Sequence, residues 1–83
     1  MTTVSDSDLI VLSKPGCVQC NAVYTRLDAA GVDYEVIDVS QDPVWFDKLI
    51  AQNIKSAPVT MRRGDDPKEW VLGFDPDGLD RLF

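Results

Sequence analysis

Apolar positions fall along the chain in two distinct rhythms. Leu9-Ile10-Val11-Leu12 is an unbroken apolar run. A short continuous run predicts a strand covered on both faces, here over residues 8–13. The next stretch is periodic instead. Cys20, Val23, Leu27 and Ala30 recur at i, i+3, i+7 and i+10, which predicts a helix over 18–30 with that stripe against a sheet. Asn21, Thr25 and Asp28 point elsewhere, and Tyr24 packs at the helix edge. Gly31 supplies the stop, where a left-handed residue commonly closes a helix. Residues 33–39 read as a second strand, with Tyr34, Val36 and Ile37 inward or at the margin. A strand, helix, strand unit with short links predicts a right-handed crossover and a parallel pair.

The second half repeats one device twice. Asp42-Pro43 and Asp75-Pro76 each pair a capping side chain with a proline preset for the first helical position. After the first, Trp45, Phe46, Leu49 and Ile50 form one apolar stripe, with the stop at Asn53. After the second, Leu79, Leu82 and Phe83 give a last helix its apolar side. Between the two helices, Pro58 opens a strand over 58–61, and Gly64-Asp65-Asp66-Pro67 turns the chain. Residues 69–72 return antiparallel. From the residues alone Pro58 is an ordinary trans proline, because cis is the minority form of X–Pro bonds. The polar start, Met1–Asp6, is expected to fray.

Composition narrows the class. The 83 residues make one small domain, 1–83, without repeat or linker. Fourteen acidic against eight basic residues give a net charge of −6. Nucleic-acid binders need clustered Lys and Arg, so no nucleic-acid partner is expected. No run approaches the roughly 20 apolar residues that span a bilayer, and no secretory signal is evident. A cytoplasmic protein with no membrane partner is expected. The absence of histidine removes any imidazole base and most zinc-site patterns.

The candidate chemistry lies in Lys14-Pro15-Gly16-Cys17-Val18-Gln19-Cys20, which holds both cysteines of the chain. A C-x-x-C pair at a strand-to-helix junction in an intracellular protein is a redox motif of the thioredoxin-like kind. A helix start has unpaired N–H groups and the positive end of the macrodipole, both of which favour an anion. A thiolate at Cys17 gains from both, and Lys14 adds a nearby positive charge. Cys20, one turn further in, is placed to attack a mixed disulfide formed at Cys17. Two rivals stand beside this reading. A metal or iron–sulfur site built on Cys17 and Cys20 has only half of its ligands, so it needs a dimer or outside donors. An inert structural disulfide closes too short a loop to stabilise much.

The order βαβαββα, with C-x-x-C opening the first helix and Ala57-Pro58-Val59 opening the third strand, resembles the thioredoxin fold. That fold is an α/β architecture with a four-stranded mixed sheet flanked by three helices. Within it, Cys17-Val18-Gln19-Cys20-Asn21-Ala22 looks like the NrdH-redoxins, glutaredoxin-like in sequence and thioredoxin-like in activity. The resemblance runs from Leu9 to near the end, and Gly73-Phe74 followed by Pro76-Asp77 adds to it. It implies a thiol–disulfide oxidoreductase with no cofactor beyond its own redox-active pair, acting as a monomer. It also implies electrons from NADPH through thioredoxin reductase as one partner, and the class Ib ribonucleotide reductase large subunit as the other, in deoxyribonucleotide synthesis. A cis bond at Pro58 facing Cys17 follows from it. So does a partner groove of Val18, Gln19, Ala57, Pro58, Gly73 and Phe74. Two departures stand out: Trp70 lies one position earlier than the family tryptophan, and Asp75 replaces a basic residue. Glutathione-dependent glutaredoxins carry a Gly-Gly and acidic pair after the fourth strand, which Gly73–Asp77 matches poorly. Weak or no glutathione binding is therefore expected, with a glutathione-dependent glutaredoxin as the alternative.

Overall fold

The structure, a computed structural model, describes residues 8–82. The expected fraying of Met1–Asp6 and the packing of Phe83 lie outside those residues. Strand β1 (Leu9–Ser13) is followed by helix α1 (Val18–Ala30), strand β2 (Glu35–Asp38), helix α2 (Pro43–Ala51), strands β3 (Val59–Arg62) and β4 (Val71–Leu72), and helix α3 (Pro76–Asp80). Short 3-10 turns cover Val39–Gln41 and Pro67–Glu69. The four strands form one sheet in the order β2-β1-β3-β4. The β1–β2 pair is parallel, with Val11 opposite Val36, and the other two pairs are antiparallel. This is the mixed sheet with three helices that the thioredoxin fold requires.

Every residue of β1 is buried, which is why its apolar run is continuous. Successive side chains point to opposite faces of a strand. Leu9 and Val11 join Val23 and Leu27 of α1 and Leu79 of α3 in one cluster. Ile10 and Leu12 join Leu49 of α2 with Val59 and Met61 of β3 in the other. One strand therefore anchors both layers. Each fully buried Leu or Ile contributes on the order of 1.5–3 kcal/mol.

All three helices begin alike. A side-chain acceptor on the residue before the helix takes the N–H three residues on, which satisfies one orphan donor. For α2 the acceptor is Asp42 Oδ1, 3.2 Å from Trp45 N; for α3 it is Asp75 Oδ1, 3.2 Å from Gly78 N. For α1 it is the Cys17 sulfur, 3.1 Å from Cys20 N. Helix α1 closes at Gly31, whose φ of 72° is a left-handed conformation that other residues adopt at a cost.

Several expectations need correction. Strand β2 begins at Glu35, not 33, and β4 keeps only Val71–Leu72, because Pro67–Glu69 form a 3-10 turn instead. Ala30 is exposed, since the stripe of α1 runs past the edge of the sheet before the helix ends. Val36 is exposed too, on β2 at the edge of the sheet that the described residues form. In α2, Leu49 is buried and Trp45 packs against the same cluster, while Phe46 and Ile50 are about half exposed. The sheet beneath α2 covers the side of its stripe that carries Leu49 and Trp45.

Candidate redox site

Cys17 and Cys20 are joined by a disulfide, with their Cα atoms 5.3 Å apart. The two sulfurs have unlike surroundings. Cys17 is partly exposed at the entrance of α1, whereas Cys20 is 2% exposed on the sheet-facing stripe with Val23 and Leu27. In α2 and α3 the position that Cys17 holds is taken by a carboxylate. The same geometry at α1 suits a negative charge on sulfur, through the Cys20 N–H and the positive helix end. Lys14 lines the cleft that holds both cysteines.

The groove residues expected from sequence come together through two hydrogen bonds across long separations. Gly73 N–H donates to Pro58 C=O at 2.8 Å. Phe74 N–H donates to Gln19 Oε1 at 3.3 Å. Gln19, of the redox motif, is thereby tied to the link between β4 and α3, and that link to the start of β3. The Ala57–Pro58 bond is cis, as the family resemblance implied and the residues alone did not. Pro58 is buried and Ala57 is partly exposed. Gly73 has a φ of 70°, and a Cβ there would meet Gln19 Oε1 at 3.2 Å, so both space and backbone favour glycine. Val18, next to Cys17 in the chain and lining its cleft, is 80% exposed, and Phe74 is 42% exposed.

Two features were missed by sequence reasoning. Phe46 and Ile50 line an apolar cavity of about 340 Å³ that Lys14 and Ala57 also border, so part of the α2 stripe faces the site's surroundings and not the core. An apolar stripe wider than its helix can bury was the available signal. Ser13 and Tyr24 share a hydrogen bond of 3.0 Å in the cleft beside the cysteines. Nothing in the periodicity marked that pair. Trp70, displaced by one position, packs toward α2 with its ring 6.3 Å from that of Trp45. Among the described residues no group of three or more His, Cys, Asp or Glu could hold a metal ion. Nor is any helix among them long and apolar enough to cross a membrane.

Comparison with known proteins places these features. The glutaredoxin family pattern matches residues 9–65. The Gene 56 protein of Mycobacterium phage L5 is 36% identical over 74 residues, covering 88% of this chain and 69% of that protein. The glutaredoxin-like protein NrdH of Salmonella typhimurium is 34% identical over 74 residues, covering 89% and 86%. Among solved structures, the NrdH-redoxin of Escherichia coli, described as glutaredoxin-like with a thioredoxin-like activity profile, superposes with a TM-score of 0.78. It shares 29% identity over 90% of this chain and 93% of its own.

Proposed function

The chain belongs to the glutaredoxin family and is a glutaredoxin-like thiol–disulfide oxidoreductase, and on that premise we propose that Cys17 is its attacking thiolate and Cys20 its resolving thiol. The observation that carries the assignment is the asymmetry of the pair. Cys17 is the partly exposed sulfur at the helix entrance, and Cys20 is buried behind it. In the reduced chain the Cys17 thiolate attacks a partner disulfide, forms a mixed disulfide and releases one partner thiolate. Cys20 then attacks Cys17 Sγ and expels the second. The partner gains two electrons and two protons, and the Cys17–Cys20 bond of the structure is the oxidised product. Lys14 supports the thiolate. Val18, Gln19, Ala57, Pro58, Gly73 and Phe74 form the groove, in which backbone groups at Ala57 pair with an extended partner segment.

For the electron source we favour NADPH through thioredoxin reductase, and for the target a ribonucleotide reductase large subunit of class Ib. The likeness to NrdH proteins and the thioredoxin-like activity of the E. coli relative support this. The poor match of Gly73–Asp77 to a glutathione-binding loop supports it as well. The test compares two recharging systems with insulin as the reporting disulfide. Rapid turnover with NADPH and thioredoxin reductase, and little with glutathione and glutathione reductase, is expected. The reverse pattern makes the chain a glutathione-dependent glutaredoxin.

A further inference from the structure

Cys20 faces a problem that the helix entrance does not solve. Its own N–H is given to the Cys17 sulfur, and its side chain is 2% exposed. Burial disfavours a thiolate, yet the resolving step needs one at Cys20. Among the described residues that line the cleft of Cys20, about 290 Å³ in volume, there is no carboxylate, and the chain has no imidazole. The titratable groups that border the cleft are Lys14, Cys17, Cys20 and Tyr24. The elements packed around it add little charge. Strand β1 carries none, and the charged residue of β3, Arg62, pairs with Leu9 at the far end. Helix α3 carries Asp77 and Asp80, with Asp80 held by Arg26 at 2.6 Å.

The same cleft does contain a hydroxyl pair. Ser13 closes β1 on the face shared with Val11, under α1, and is 9% exposed. Tyr24 lies one turn beyond Cys20 on α1, and residues four apart are neighbours on a helix. The Tyr24 hydroxyl donates to Ser13 Oγ at 3.0 Å. A hydroxyl that accepts one hydrogen bond keeps its own proton to donate, and accepting one makes it a stronger donor.

We propose that the Ser13 hydroxyl donates a hydrogen bond to the Cys20 thiolate during resolution, and that Tyr24 acts through Ser13 as a positioning residue. This rests on the assignment of Cys20 as the resolving thiol. In the step, Cys20–SH gives its proton to water, and the thiolate is held by Ser13 O–H. The Cys20–Cys17 bond forms as the bond from Cys17 to the partner sulfur breaks. The departing partner thiolate takes up a proton from solvent.

The experiment titrates the Cys20 thiolate by its ultraviolet absorbance in a Cys17→Ser background. Ser13→Ala is expected to raise the Cys20 pKa by about one unit, the size of one hydrogen bond to a charged group. At a pH below both values the thiolate absorbance then falls about tenfold. Tyr24→Phe shifts it the same way by less, and Ser13→Thr leaves it in place. A Ser13→Ala protein with an unmoved Cys20 titration overturns the proposal, even if its melting temperature falls. If Ser13→Ala does not fold, an unmoved titration in Tyr24→Phe overturns it equally. A parent chain that fails to reduce insulin instead sinks the functional assignment itself, whatever the titrations give.

Discussion

At the scale of single residues, function divides between two sulfurs of one motif. Cys17→Ser is expected to abolish insulin reduction. Cys20→Ser leaves the attack intact and removes the resolving thiol, so a mixed disulfide with the partner should accumulate on a non-reducing gel. If no such adduct forms, Cys20 does not resolve. Tyr34 carries a separate prediction. Its phenol is pushed up to about 12 by burial first, then by its hydrogen bond to Asp28, 2.9 Å away. The folded state thus holds this proton more tightly than the unfolded chain, with its ordinary value of 10.0. That contribution is complete below pH 10.0 and is lost as pH rises toward about 12. Urea unfolding across this range should show a slope that Tyr34→Phe flattens.

At the scale of elements, the legible parts were those whose signal is local. The run Leu9–Leu12 predicted a strand buried on both faces, and its alternation divides the two core clusters. The span of α1 and its Gly31 stop agree with the periodicity. Asp42 and Asp75 cap as their Asp-Pro pairs predicted. Asp42→Ala should therefore lower stability by about 1 kcal/mol in denaturant unfolding, with Cys17 chemistry unchanged. What was not legible depends on contacts distant in sequence. The Gln19–Phe74 bond spans 55 positions, and the Ser13–Tyr24 bond joins a strand end to a helix face. The cis form of Pro58 came only from the family resemblance, since its neighbours in sequence do not select it. Phe46 and Ile50 look like core by periodicity, and the one sequence sign that they are not is an apolar stripe wider than the helix can bury.

At the scale of the whole molecule, stability and reactivity share one anchor. β1 contributes to both core clusters, and its end at Ser13 reaches the cleft of the redox pair. Among the described residues, Arg26 pairs with Asp80 and Arg63 with Glu35 at the periphery. Both are partly open to solvent, so each is worth little beside the core. Leu12→Ala should cost about 2–5 kcal/mol, a large share of the roughly 5–15 kcal/mol that holds a domain together. Urea midpoints will show this, and a loss under about 1 kcal/mol would mean that the α2 layer collapses onto the vacancy.

The unequal exposure of the two sulfurs also makes the reduced chain a gauge of its own integrity. An alkylating reagent meets Cys17 in the native protein and scarcely meets Cys20. In a denatured chain nothing distinguishes two thiols three residues apart. The ratio of label at the two positions, read by mass spectrometry, therefore reports the folded fraction of the population. It needs no optical probe, and it works in a crude extract where no optical signal could be assigned.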